Sequence, residues 1–290
     1  MKTGRTAVFL VMLLFSLVSA SPAVADGGYG VREWGEDIKA SRWESGGAFA
    51  AVTALGMTSW EWGSSKSFRW NPEGWFGEDT GSGGMDKLGH AFTSYAITNV
   101  VAERLLLEGR PAWRAALSSA LTSQAIMLYV ECFDGFSNDH GFAWEDVVLN
   151  FLGTSFGAVR ALSPEVHSLV DYRMEYIPSG DKGFRPFSDY SGQKYLLAFK
   201  LSGIESFRRS PARFLELHAG YYTRGFLHEE VERGETPKRY AMVGVGLNLS
   251  ELLLGERPGT EAAAPLHRYG RMLFEHIQVP YTSVDVAEEL

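Results

Sequence analysis

Residues 241–250 read Ala241-Met242-Val243-Gly244-Val245-Gly246-Leu247-Asn248-Leu249-Ser250. Ala241, Val243, Val245, Leu247 and Leu249 fall on one side of an extended chain, and Met242, Gly244, Gly246, Asn248 and Ser250 on the other. Strict alternation of this kind marks a strand with one apolar face. Two earlier stretches repeat it. Tyr195, Leu197, Phe199 and Leu201 alternate with Leu196, Ala198, Lys200 and Ser202, and Leu215, Leu217, Ala219 and Tyr221 with Glu216, His218, Gly220 and Tyr222. A weaker strand is predicted over residues 272–279. Residues 255–265 read as a flexible loop and the last ten residues as a frayed tail. One-sided, glycine-rich strands of this sort predict an antiparallel β-meander over residues 190–290.

Toward the N-terminus the period turns helical. Helices are predicted over residues 86–107, 111–131 and 144–162, separated by Gly109-Arg110-Pro111 and by a loop at 133–143, and ended by Pro164. Residues 115–130 contain no charged side chain, and a helix apolar all round is buried in protein or in lipid. Residues 26–85 hold Trp34, Trp43, Trp60, Trp62, Trp70 and Trp75, with a small-residue helix at 46–62 and a glycine-rich loop at 64–84. Aromatic residues this dense pack over a core edge, or form a stacking rim or an interfacial belt at a membrane. The predicted fold is therefore α+β: an N-terminal bundle of about four short apolar helices followed by the β-meander. Residues 26–85 and 86–163 make the helical part, and residues 164–189 a linker.

Met1 to Arg5 give a short basic start, Ala7 to Ala20 an apolar run, and Ala23-Val24-Ala25 a small-x-small cleavage pattern. Residues 1–25 are thus predicted to be a secretory signal peptide, with a mature start at Asp26. Cleavage removes two of the 27 basic residues and leaves all 35 acidic ones, a net charge near −10. That balance disfavours nucleic acid as a partner. The lone cysteine, Cys132, allows no intramolecular disulfide and places no lipidated cysteine after the signal.

Three acidic positions return to nearly uncharged segments. Asp86 and His90 lie four apart on a helix and share a face, with Lys87 beside them. A carboxylate next to an imidazole fixes its orientation and raises its basicity, as a general base or a metal ligand requires. The plainer reading is a helix cap and a core hydrogen bond. Glu131 ends a helix, where the dipole disfavours an acid, so it calls for a cation or a proton. Asp146 and Asn150 are again four apart, and Gly153 and Gly157 continue their stripe, allowing another helix close approach. Buried carboxylates cost several kcal/mol unless paired, which predicts that all six residues converge. Catalytic roles are expected for His90, Asp86 and Glu131, and binding or clamping roles for Lys87, Asp146 and Asn150.

Other strings carry nothing. Gly153-Thr154-Ser155-Phe156-Gly157 fits a nucleophile elbow but lies inside a helical pattern with no strand before it. Residues 134–141 resemble a calcium loop, yet Phe136 stands where a ligand is required. No zinc signature with two closely spaced histidines occurs. No metal is predicted, and the cofactor and oligomeric state stay open.

The string Met85-Asp86-Lys87-Leu88-Gly89-His90-Ala91, followed by Tyr95, Glu131, Asp146, Asn150 and Gly153, resembles two related patterns. One is the YfiM-like family of bacterial envelope proteins, described as predicted lipoproteins of unknown function. The other is the VanZ-like family of small helical membrane proteins, linked to glycopeptide resistance. The likeness covers residues 60–160. VanZ-like proteins have long membrane helices, whereas Glu103, Arg104 and Arg160 interrupt the helices here. The resemblance implies an exported protein of the periplasm or outer membrane of a Gram-negative bacterium. A membrane lipid or another envelope component would be its partner, and its role structural or in envelope maintenance. The alternative is a hydrolase or transferase acting on a lipid or cell-wall precursor, with His90 as base, Asp86 orienting it, and Glu131 as acid or ligand.

Overall fold

The computed structural model describes residues 29–180, 183–255 and 264–290. The signal peptide and most of the loop expected at 255–265 lie outside the described residues. The chain divides into two compact units. One takes in the chain up to Glu73 together with Thr93–Leu162, the other Gly74–Phe92 together with Ser163–Leu290.

The first unit is helical. It contains α1 (Val31–Ala40), α2 (Arg42–Ser59), the greater part of α3 (Met85–Leu107), α4 (Ala112–Asp134) and α5 (Trp144–Leu162). Gly109, with φ of 77°, supplies the left-handed turn after α3. Pro111, extended at ψ 148°, stands as the cap of α4. Val52, Ile97, Val101, Leu105, Ile126, Met127 and Val130 make the core, and Trp60, Trp62 and Tyr129 pack against it. Trp62 folds back on Gly56, where an added Cβ would come within 2.3 Å of the indole. Gly157 lies so close to α3 that a Cβ would meet Thr98 Cβ at 2.8 Å and the Tyr95 carbonyl at 3.2 Å.

The expected bundle of apolar helices needs correction. Helix α1 is charged, and its buried Asp37 binds Arg110 at 2.8 Å, Arg114 at 2.8 and 2.9 Å, and the Ser118 hydroxyl at 2.5 Å. Helix α4 buries Ser118, Ser119, Thr122 and Ser123. Hydroxyls can be buried without loss when they hydrogen-bond; Ser119 donates to the Ala116 carbonyl and Ser123 to that of Ser94.

The second unit carries a six-stranded sheet in the order β5-β1-β2-β3-β4-β6. Its strands are β1 (Val170–Tyr176), β2 (Gln193–Lys200), β3 (Leu215–Arg224), β4 (Lys238–Leu247), β5 (Ile277–Gln278) and β6 (Ser283–Glu289). Among the described residues four short helices accompany it: α6 (Pro164–Leu169), α7 (His228–Glu232), α8 (Leu249–Leu254) and α9 (Ala264–His276). Neighbouring strands are antiparallel, except that β1 and β5 run parallel. The sheet is therefore mixed, not a simple antiparallel meander. Residues 272–276, expected as strand, finish α9, and the expected frayed tail is β6, paired along β4.

The two faces of this sheet are reversed from the usual arrangement. One face buries charge. Arg173 binds Asp171 at 2.6 Å and Glu216 at 2.6 and 3.0 Å; Lys200 binds Asp171 at 2.6 Å, and His218 lies 3.0 Å from Glu216. Two cations face two carboxylates, the pairing that buried charge demands. The glycines of β4 make room for this network: a Cβ on Gly246 would come 2.4 Å from the His218 ring, and one on Gly244 2.0 Å from the Asp285 carboxylate. The opposite face is apolar. Its first rows are covered within the same unit, where Phe92 lies 5.8 Å from the rings of Tyr172 and Tyr195 and Tyr172 donates to the Leu88 carbonyl. The remaining rows are open. In register, Phe199, Leu217, Val245 and Val284 form one row and Leu197, Ala219, Val243 and Val286 the next. Val243 is 63% and Val284 80% exposed.

Candidate functional site

The start of α3 is fixed by the sheet of its own unit. Gly83 and Gly84 take positive φ, 62° and 90°. The Gly83 carbonyl accepts from the Tyr221 hydroxyl at 2.5 Å, and the Ser82 carbonyl from Thr223 at 3.3 Å. The chain then turns into the helix with the Asp86 amide donating to the Ser82 hydroxyl at 3.3 Å.

Asp86 gathers donors around it. Lys87 Nζ donates to Oδ2 at 3.0 Å, and the Tyr190 hydroxyl to Oδ1 at 3.4 Å. His90 Nε2 stands 3.8 Å from Oδ1. The expected contact between Asp86 and His90 is present, and Lys87 joins it. The Lys87 side chain is buried, whereas those of Asp86 and His90 are 17% and 15% exposed. Nearby, burial pushes the Tyr195 phenol far above its ordinary range, and the Asp86 charge adds to that shift. Tyr195 therefore stays neutral under any physiological condition. Tyr190 was not found by reading the sequence; it comes from a short turn with no periodic signal.

The other expected residues sit in the helical unit. Glu131 is almost wholly buried on α4, and Asn150 on α5 donates Nδ2 to its Oε1 at 3.4 Å. The Ser94 hydroxyl donates to Asn150 Oδ1 at 2.9 Å. Serine, amide and carboxylate thus form a chain from α3 through α5 to α4. Asp146 is also buried, one turn before Asn150. Two members of this group escaped the sequence reading. Asp134 was expected in a loop, yet α4 runs through it; its Oδ1 accepts from Trp62 Nε1 at 2.6 Å. Ser94 continues the four-residue spacing of Asp86 and His90 along α3, a signal that a longer reading of that stripe would have caught.

Within each unit, two ligand-bearing groups stand close together. Asp86 and His90 place a carboxylate oxygen and a ring nitrogen within 4.8 Å, and Glu131 and Asp134 place two carboxylate oxygens within the same distance. Chemically, the first pair is suited to hold or move a proton at His90 Nε2. The second is a buried acidic pair held by amide and indole donors.

Residues 72–162 match the model of a family described as "Predicted periplasmic lipoprotein (DUF2279)". The match takes in just under a third of the 290 residues, and all six expected site residues lie within it. It agrees with export to the periplasm or the outer membrane. No curated protein and no solved structure matches the chain.

Proposed function

We propose that the protein is a membrane-associated component of the bacterial envelope with a structural or envelope-maintenance role, in the manner of the YfiM-like proteins. One observation carries this reading: the sheet of the second unit buries Asp171, Arg173, Lys200, Glu216 and His218 on one face and exposes Val243, Val245, Val284 and Val286 on the other. Soluble proteins rarely expose contiguous apolar surface beyond a few hundred Å². Among the described residues no helix is long and apolar enough to cross a membrane. In this reading Lys87, Glu131, Asp146 and Asn150 are clamps. Each is buried, and Lys87, Glu131 and Asn150 are tied to the neighbours described above. Fractionation of native cells tests it: the protein should sediment with envelope membranes and be released by carbonate or mild detergent. Full recovery as a monodisperse soluble periplasmic species would contradict it.

The partial exposure of Asp86 and His90 supports a second reading, a hydrolase or transferase acting on a lipid or cell-wall precursor. His90 would take the proton from the attacking hydroxyl while Asp86 holds the ring. His90→Gln would then fail to rescue an envelope defect that wild-type protein rescues, with the amount of folded protein in the cell unchanged. Under the clamp reading the same variant acts only through lowered stability.

A further inference from the structure

At the end of β2, inside the sheet unit, lies a cavity of about 340 Å³. Its lining includes Lys200, Arg208 and Arg271, the hydroxyls of Ser202 and Ser250, and one carboxylate, Glu251. Three basic side chains line one concavity of a chain whose net charge is −8.

The donors have capacity left for a ligand. Lys200 Nζ gives two hydrogen bonds, to the His167 carbonyl at 2.9 Å and to Asp171 at 2.6 Å, and an ammonium has a third to give. Arg208 donates once, to the Gly203 carbonyl at 3.3 Å, and Arg271 once, to that of Leu254 at 3.3 Å. Each guanidinium carries five N–H groups. Arg271 also stands 3.9 Å from Glu275. Asn248 Nδ2 donates to Ser202 Oγ at 3.1 Å, which leaves the Ser202 proton to point elsewhere, while Ser250 spends its own on Asn248 Oδ1 at 2.8 Å. Glu251 lies 3.7 Å from Arg213, a cation outside the lining, which offsets its charge. Lysine, two guanidiniums and a hydroxyl make a donor set suited to a phosphate group.

The surroundings add an apolar requirement. Ile204 and Phe207 flank Arg208 in the β2–β3 connection, Leu252 and Leu253 follow Glu251, and all four are exposed. A free sugar phosphate has no use for such neighbours, whereas an amphiphile does.

We propose that this cavity binds a phosphate group, and that the group is the headgroup phosphate of an anionic phospholipid whose chains meet the exposed Ile204, Phe207, Leu252 and Leu253. The proposal rests on the membrane association proposed above and names the lipid chemistry behind it.

The test uses the purified full chain and four variants: Arg208→Ala with Arg271→Ala, the same pair changed to lysine, Ser202→Ala, and Arg209→Ala. Arg209 lies next to Arg208 in the same connection but outside the lining, so its loss removes one positive charge without touching the cavity. Two probes separate the sources of phosphate. Inorganic phosphate and glycerol phosphate are scored by thermal shift; vesicles of phosphatidylcholine, with and without phosphatidylglycerol, are scored by co-sedimentation. Both soluble probes should raise the melting temperature of wild type and R209A but not of R208A/R271A, a difference that cancels the general stabilising effect of phosphate salts. Vesicles containing phosphatidylglycerol should bind wild type, and R208A/R271A about thirtyfold more weakly. The lysine pair should recover part of that loss, and S202A should weaken binding of the soluble probes and of vesicles containing phosphatidylglycerol alike. Unliganded melting of each variant reports its fold.

Three results would overturn the proposal, each differently. Undiminished vesicle binding by R208A/R271A would remove the cavity and leave membrane association standing. Phosphate binding without preference for phosphatidylglycerol would replace the lipid by a soluble phosphate compound. Failure to bind vesicles of either composition would remove the membrane reading itself.

Discussion

Glu131 and Glu108 are both acids at the end of a helix in the helical unit, and they should behave oppositely when removed. Glu131 is 1% exposed and takes the Asn150 amide; the Glu108 side chain is 41% exposed and meets Arg104 across one turn. Surface pairs contribute under about 1 kcal/mol, while a buried polar group left without its partner costs several. Urea melts should therefore show Glu131→Ala losing about 2–4 kcal/mol more than Glu108→Ala. Glu131→Gln, which keeps an acceptor for Asn150, should recover much of that. The expectation that the six site residues act together is thermodynamic: His90→Ala and Glu131→Ala combined should depart from additivity by at least about 0.5 kcal/mol. Independent losses would leave two separate local roles.

Glu275 gives a pH signature. Burial pushes its carboxyl upward, but the hydrogen bond from His167 and the Lys200 charge outweigh that and hold it down to about 2, against an ordinary 4.5. A depressed carboxyl stabilises the fold fully above pH 4.5, and that contribution is lost as pH falls from 4.5 toward 2. Glu275→Gln should therefore be clearly less stable than wild type at neutral pH. The gap should close as acid unfolding is followed below pH 4.5. A constant gap across that range would contradict the assignment.

At the scale of elements, apolar periodicity was a good guide and charge a poor one. The helices expected over 86–107 and 144–162 match Met85–Leu107 and Trp144–Leu162 within a residue, and the three strong strands pair in register. What went unread was β1, Val170–Tyr176, in which Asp171, Arg173 and Glu175 alternate with Tyr172 and Met174. The alternation is there, but charged residues on one side suggest solvent, and here that side is the buried one. The same inversion hid β6, where Asp285 turns toward His218. The Asp86–His90 spacing was legible because i,i+4 contacts are local. Tyr190 and Trp62 were not, because their partners are 104 and 72 residues away.

Glycine positions test the packing of these elements. An added Cβ on Gly47, within α2, meets nothing within 4 Å, whereas one on Gly157 meets Thr98 and the Tyr95 backbone. Gly47→Ala should then stabilise by about 0.5–1 kcal/mol through helix propensity. Gly157→Ala should destabilise by about 1–3 kcal/mol, as overpacking does. Thermal melts that gave the two substitutions the same sign would contradict the close approach of α3 and α5.

At the scale of the whole molecule one property stands out, a sheet that buries Asp171, Arg173, Lys200, Glu216 and His218 on one face and exposes Val243, Val245, Val284 and Val286 on the other. That is the distribution of a lipid-facing sheet, apolar outward and polar inward, and it explains why one-sided strands could be recognised in the sequence while their orientation could not. Alternation assigns residues to two faces; only the partners of Arg173, Lys200 and His218 decide which face is buried. The most direct test places an environment-sensitive fluorophore on that face. In a Cys132→Ser background, Val243→Cys labelled with NBD should brighten and shift to the blue when vesicles containing phosphatidylglycerol are added. The same label at Glu232, exposed on α7, should not respond. An unchanged Val243 signal with the protein bound to vesicles would contradict the account: the membrane would then be met by some other surface.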